Sequence, residues 1–287
     1  MSKVAIITGG ASGMGLAVAK ALSERGGWTL HILDMNAHSG EEVARTLPNT
    51  TYHKVDVTSY SQLGPTFNAA FTASGNRLDF VYANAGIIER KDFYARHAES
   101  IEPPPEPDLL SIDINLKGVV LTSYLALHYF RQSPHKGQGA SLVMTGSCSS
   151  FYPSDYSPIY TSAKHGVAGF VRSIAAAYHL DGIRANAVCP GLVRTNIVSE
   201  DGWANFPKDI FTPVEMVAKV VLLLIDGNEL TDSDGNTIPA EKTYGQTVEV
   251  MKTNYYIRTI PEFCDAQMAE LMRATSVENQ KGGVIKG

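Results

Sequence analysis

Short apolar runs rich in β-branched residues alternate along this chain with longer stretches of helical period. The strand candidates are "KVAIITG", "WTLHILD", "TYHKVDV", "LDFVYANAG", "ASLVMTGS" and "IRANAVCPG". Helical patterns run from Gly13 to Glu24, Tyr60 to Thr72, Leu109 to Phe130, Ser157 to Tyr178 and Pro213 to Leu224. A parallel strand pair needs a crossover, and a helix supplies it. The rhythm therefore predicts an α/β fold built on a single Rossmann-type, doubly wound parallel sheet with helices on both faces. The strands are apolar nearly throughout, as strands covered on both faces must be. With 287 residues and 44% apolar content, one core of this kind can be filled, so a single domain over residues 1–287 is expected.

Three stretches break the rhythm. Residues 89–108, "ERKDFYARHAESIEPPPEPD", turn charged and then proline-rich, which excludes a continuous helix and predicts a surface insertion. Residues 195–213 carry Trp203, Phe206 and Phe211 without a helical period and are placed to form a lid. Residues 226–287 read as a small C-terminal extension: a polar link, the strand-like "GQTVEVM", a short helix in "PEFCDAQMAELMRA" and a frayed tail.

Composition narrows the function classes. A net charge of −5 gives no cationic excess for a phosphate backbone, so nucleic acid is not the expected partner. The first strand begins at Lys3, leaving no room for a leader, and no apolar run is read as reaching spanning length; a cytoplasmic protein with no membrane partner is expected. Cys148, Cys189 and Cys264 lie far apart, suggesting neither disulfides nor a metal site but small buried hydrophobes.

The first strand runs straight into "TGGASGMGLAVAKAL". Gly9, Gly13 and Gly15 permit a tight turn that opens a helix, where backbone amides can hold a pyrophosphate. "HILD" ends the second strand at Asp34, 19 residues after Gly15. A carboxylate there accepts from both adenosine ribose hydroxyls and repels a 2′-phosphate. Neither Ser12 nor Met35 offers that phosphate a cation, so the pattern favours NAD over NADP. Farther on, "YTSAKHG" places Tyr160 and Lys164 one turn apart on one helix face. Taken alone, that spacing is better read as two snorkelling side chains on an amphipathic helix.

Thr8-Gly-x-x-x-Gly-x-Gly15, Asn84-Ala85-Gly86, Asn115, Ser147, Tyr160-x-x-x-Lys164 and Pro190-Gly191, in this order, resemble the short-chain dehydrogenase/reductase family from Lys3 to about Leu224. Within it, "YTSAKHGVAGFVRS" is similar to the NAD-dependent 15-hydroxyprostaglandin dehydrogenase subgroup. The resemblance implies a Tyr-Lys-Ser-Asn catalytic set. Tyr160 would be the general base, Lys164 its cation and the holder of the nicotinamide ribose, Ser147 the donor to the substrate oxygen, and Asn115 the support of a water linked to the lysine. A phenol acting near neutrality needs its pKa lowered by about three units, or roughly 4 kcal/mol. One cation at about 4 Å supplies roughly that at an effective dielectric near 20. The resemblance also assigns Gly9, Ser12, Gly13, Met14, Gly15, Asp34, Met35, Asp56, Val57, Asn84, Ala85, Gly86, Pro190, Gly191, Val193 and Thr195, together with Tyr160 and Lys164, to the cofactor.

Phe151, Tyr152 and Tyr156 on one side, and Trp203 and Phe206 on the other, are candidates to line a site for a small apolar or aromatic alcohol or ketone. The sequence shows no cluster of Arg or Lys to hold a carboxylate, although Arg194 and Lys208 could serve. The lid's rings fit an anchoring role nearly as well. The helices from Leu109 and Ser157 carry apolar residues on more than one face, which predicts a homodimer, with a tetramer also open. Two other readings remain: a non-redox dehydratase, epimerase or cyclase on the same scaffold, and a non-catalytic NAD-sensing protein.

Overall fold

The computed structural model describes residues 2–97, 102–195, 197, 200–203 and 206–280. Eight strands form one sheet, running from edge to edge as Asn254–Arg258, Thr247–Met251, Arg184–Pro190, Ser141–Thr145, Phe80–Ala83, Lys3–Thr8, Trp28–Asp34 and Thr50–Lys54. Its elements are β1 (Lys3–Thr8), α1 (Gly13–Arg25), β2 (Trp28–Asp34), α2 (Ala37–Thr46), β3 (Thr50–Lys54), α3 (Tyr60–Ala73) and β4 (Phe80–Ala83). A short α4 (Leu110–Ile112), a π-helical turn (Asp113–Lys117) and α5 (Gly118–Gln132) follow as one rod, then β5 (Ser141–Thr145), α6 (Pro158–His179) and β6 (Arg184–Pro190). A one-turn α7 (Glu200–Trp203) precedes α8 (Val214–Asp226); the antiparallel pair β7 (Leu230–Thr231) and β8 (Thr237–Ile238) stands outside the main sheet. β9 (Thr247–Met251) pairs parallel with β6, and β10 (Asn254–Arg258) follows after a two-residue turn.

Alternate strand residues feed two separate cores, which is why the strands read as continuously apolar. Val4, Ile6, Val81, Leu142 and Met144 pack with Leu63 and Phe67 of α3, Val119 and Leu125 of α5 and Val167 of α6. Their strand neighbours Ala5, Ile7, Phe80, Tyr82 and Val143 pack with Val18 and Leu22 of α1, Val43 of α2 and Val217 and Val221 of α8. The chain order reverses between β1 and β4, so a crevice opens beyond the carboxyl ends of those strands.

Several expectations are corrected. The periodicity missed α2, whose start is capped by Asn36 accepting from Ser39 N, and it missed β10 and the β7–β8 pair. "GQTVEVM" belongs to the main sheet as β9 rather than to an appendage. The chain divides into two compact units, Met1–Ile257 and Arg258–Gly287. The second contains α9 (Ala266–Ala274), capped by Asp265, which accepts from Met268 N at 2.7 Å. Leu110–Gln132 is, by length and composition, long and apolar enough to cross a membrane, contrary to the reading that no stretch was. Val119, Leu125, Ala126 and Phe130 from this rod nevertheless lie in the core against the sheet. Of the cysteines, Cys189 is buried and Cys148 partly so, but Cys264 is exposed. The insertion carries no regular structure over its described residues, 89–97 and 102–108, and the end of the expected tail, 281–287, lies outside the described residues.

Candidate active site

The glycine-rich turn is held from below. Gly9 N donates to Leu33 O at 2.8 Å, and Gly9 takes φ +62°, with any Cβ there lying 2.8 Å from Ala85 Cα. A Cβ on Gly15 would run into the Gly9 carbonyl oxygen. Only glycine lets this backbone and the post-β4 loop approach so closely. Ser12 caps α1 without using its hydroxyl, and Met14 follows in the first turn. The cradle therefore suits an anionic group laid against backbone amides.

Asp34 sits at the mouth of this turn. Oδ2 accepts from Ala11 N at 3.1 Å and Oδ1 from Asn36 N at 3.0 Å, so the carboxylate is fixed in place while each oxygen keeps a lone pair for a hydroxyl. Met35 beside it is exposed. Asp56 and Val57 lie just past β3, not at its end. Asp56 Oδ1 accepts from Thr58 N and Oγ1, and Val57 is buried in the core against Gly118.

Asn84 is a rivet. Its Nδ2 donates to Thr8 O and Gly9 O, its Oδ1 accepts from Thr145 Oγ1, and Asn84 N and Ala85 N both donate to Thr8 Oγ1. These bonds join the ends of β1, β4 and β5. Gly86 follows, where a Cβ would lie 2.6 Å from Asn115 Oδ1. Asn115 is wholly buried on the π-helical turn: Oδ1 accepts from Ile87 N at 3.0 Å, and Nδ2 donates to Ile87 O at 2.8 Å and Ser111 Oγ at 2.9 Å. The sequence placed this amide in an ordinary helix; the wider turn is where it fits.

Two residues beyond β5, Ser147 opens a 3₁₀ turn (Cys148–Ser150) with its Oγ accepting from Ser149 N at 3.1 Å. The neighbouring serines now separate by role. Ser150 Oγ accepts from Ser147 N and donates to Lys164 O at 2.8 Å, so it is a tie between the turn and α6. Lys164 is 3% exposed; its Nζ donates to Thr145 O at 2.8 Å and lies 5.6 Å from the Tyr160 ring centroid. Burial lowers the lysine to about 8.

Tyr160 contradicts the simplest expectation. Burial pushes its phenol up to about 12, with a hydrogen bond from Ser147 pulling the other way. A single ammonium does not depress it, because that ammonium faces the ring and the Thr145 carbonyl and shares the same desolvated volume. Both groups therefore hold their protons at neutrality. The helix bearing them starts at Pro158, and Ile159 N and Tyr160 N both donate to Glu89 Oε2, at 2.9 and 3.0 Å. Nothing in the sequence spacing pointed to Glu89 or to the Thr145 carbonyl; both act through the backbone of distant segments.

Past β6, Gly191 N donates to Val250 O at 2.8 Å, which ties the loop after Pro190 to β9. Val193 is buried, and Thr195 lies against Gly13, its Cγ2 3.1 Å from where a Cβ would stand. These residues close the cradle from the opposite side.

The aromatic candidates divide. Phe151 is half-buried with the Arg172 guanidinium 6.0 Å from its ring, and the Tyr152 hydroxyl donates to Glu249 Oε2 at 3.2 Å. Trp203 is 6% exposed, packs edge-on to Phe211 at 5.6 Å and donates from Nε1 to Thr195 O. It therefore anchors the segment. Phe206, 6.2 Å from Trp203, is exposed, and Tyr156, expected on the other wall, is 93% exposed. Residues 196, 198, 199, 204 and 205 of the expected lid lie outside the described residues.

The short chain dehydrogenase family matches residues 3–204, which carry the glycine turn, Asp34, Asn115, Ser147, Tyr160 and Lys164. The chain belongs to that family. Its fold and the dehydrogenase/reductase character of the family follow from this membership. The chain is similar to the short-chain dehydrogenase/reductase prx7 of Penicillium rubens, at 53% identity over 96% of this chain and 100% of the relative. It is 32% identical to human 15-hydroxyprostaglandin dehydrogenase [NAD(+)] over 68% of this chain and 70% of that one. It is 34% identical to the NADP-dependent dehydrogenase clz5 of Cochliobolus lunatus over 67% and 71%. Among solved structures, that of gox2181 superposes with a TM-score of 0.65 at 26% identity, covering 78% of this chain and 88% of that one.

Proposed function

We propose that this family member is an NAD(H)-dependent oxidoreductase that interconverts an apolar secondary alcohol and its ketone. The observation that carries this reading is the packing of Ser147, Tyr160 and Lys164 into one desolvated volume beside the glycine cradle. The nicotinamide, when bound, supplies the hydride acceptor and a second positive charge. Everything else is work for the chain.

Ser147 donates to the substrate oxygen and holds it next to the phenol. Tyr160 moves the hydroxyl proton: as the base it takes it from the alcohol, and in the reverse direction it returns it to the ketone oxygen. Burial holds the phenol near 12, so the positive charge of a bound nicotinamide would favour release of its proton near neutrality. Lys164 stabilises the phenolate and is placed to hold ribose hydroxyls; Asn115 keeps the post-β4 loop at the right height.

Asp34 supports NAD over NADP, since a fixed carboxylate welcomes ribose hydroxyls and repels a 2′-phosphate. The cofactors named for the relatives divide between the two, so the NAD reading rests on Asp34 rather than on likeness. Partly exposed apolar side chains on α5 and α6, including Leu121, Leu127 and Phe170, support a homodimer through these helices. The test is NADH formation followed by absorbance, with NAD and secondary alcohols ranging from short aliphatic to steroid and aromatic, and Tyr160→Phe as the control. Turnover absent with every alcohol, while calorimetry shows NAD bound, would sink the redox reading in favour of non-redox chemistry or sensing.

A further inference from the structure

We propose that Glu89 is a positioning residue for Tyr160, joining the loop beyond β4 to the first turn of α6. The inference rests on the proposed role of Tyr160. It begins with a deficit at the helix start: Ser157 occupies the N-cap position but makes no side-chain cap bond, and Pro158 has no N–H. Ser157 Oγ is instead paired with Ser154 Oγ at 3.0 Å. Ile159 N and Tyr160 N are then orphaned donors. Both end on Glu89 Oε2, a side chain 70 and 71 residues away in sequence. Thr161 N reaches Ser157 O, so the turn is complete only with the remote carboxylate.

The carboxylate is itself held. Ile87, two residues before it, is clipped at both its N–H and its carbonyl by Asn115. Gly86, one residue earlier, leaves no room between the loop and Asn115. A continuous chain of bonds thus runs from the π-helical turn through Ile87 and Glu89 to the backbone of Tyr160. First turns fray readily, and this one carries the reactive phenol. An anion at a helix N-terminus also meets the positive end of the helix dipole, and its bonds to the amides are charge-assisted. A local cap at Ser157 would steady the turn but would not fix it to the cofactor-side loop. Glu89 does both.

Three variants separate the two effects. In Glu89→Ala, amide exchange over residues 157–163 rises, and kcat falls by about 10- to 100-fold while the alcohol KM and the NAD Kd stay within about threefold. In Glu89→Gln the amide oxygen takes over both N–H groups and the NH₂ replaces Oε1, which is buried without a partner among the described residues, so no bond seen there is lost. That variant recovers kcat to within about threefold of wild type. Glu89→Ala with Ser157→Asp restores a local cap; thermal stability and amide protection return, and kcat does not. Recovery of kcat in the double variant would reduce Glu89 to a stability cap and overturn the proposal, as would full kcat in Glu89→Ala. If wild type oxidises no alcohol in the panel, the functional reading fails separately; unchanged exchange at residues 157–163 in Glu89→Ala then overturns the positioning role by itself.

Discussion

The loops after β1, β2 and β4 and the segment after β6 face the same crevice, yet they are built by different means. On the first side, position is set by backbone: glycines with no space for a Cβ, Asp34 bonded to two main-chain amides, Asn84 tying its own segment to the ends of β1 and β5. On the second, past Thr195, it is set by rings, with Trp203 sunk into the fold and Phe206 left exposed. The side meant for a constant ligand is thus written in geometry that few substitutions survive. The side proposed for the substrate is written in side-chain packing, which tolerates change. Substitutions that reach across this divide should therefore differ in what they spare.

Tyr160→Phe has the largest expected effect. It removes the proton carrier and keeps the ring that packs under Lys164, so turnover falls by at least about a thousandfold while the calorimetric NAD Kd stays within about twofold. Hydride transfer retained in single-turnover absorbance would refute the base assignment. Next in size is Gly9→Ala. With φ at +62° and Ala85 Cα 2.8 Å from the new Cβ, the turn must shift. NAD affinity should drop by about 10- to 100-fold, with a loss of about 1–3 kcal/mol in stability by denaturant titration.

That contrast also explains what the sequence could show. Glycine spacing, Asp34 at a strand end and the Tyr160–Lys164 step are local patterns, so the doubly wound parallel architecture and the glycine turn were legible. Residues acting through someone else's backbone were not: Glu89 serves a helix 70 residues on, and the Thr145 carbonyl takes the Lys164 ammonium from the end of another strand. The raised pKa of the phenol in the absence of cofactor was not legible for a related reason. Spacing gives the direction of a cation but not the burial that penalises both partners. Similarly, three aromatic residues in a loop do not say which ring faces in, and α2 was hidden because its short apolar face holds just Val43 and Gly40 as buried residues.

Asp34→Ala probes the backbone-set side more gently. Its two amide bonds fix the Gly-turn as well as any ribose, so the ratio of kcat/KM for NAD over NADP should fall by about 10- to 100-fold. An unchanged ratio would mean that the carboxylate never meets the ribose. Trp203→Ala probes the other side. Removing the anchor should raise the alcohol KM roughly tenfold with the NAD Kd changed by less than about threefold. Equal losses in both would erase the distinction between the two halves of the crevice.

The smallest effect tests the buried pair that joins them. Lys164 is lowered to about 8 in the folded protein from 10.5 when unfolded, so between these values the unfolded chain binds more protons and stability rises with pH. Below about pH 8 the ammonium is charged in both states, and the folded protein carries the full cost of burying it. Lys164→Met removes that cost and adds a fixed one, the Thr145 carbonyl left without its donor. The fixed cost does not depend on pH, whereas the burial cost does. The Tm of Lys164→Met minus that of wild type should therefore decline by several degrees from pH 8 to pH 10, a window that stays below the range from 10 to about 12 in which raised Tyr160 erodes the stability of both proteins. A difference that stays flat across that window would mean that the ammonium is solvated in the folded state, and the desolvated volume assigned to Ser147, Tyr160 and Lys164 would have to be given up.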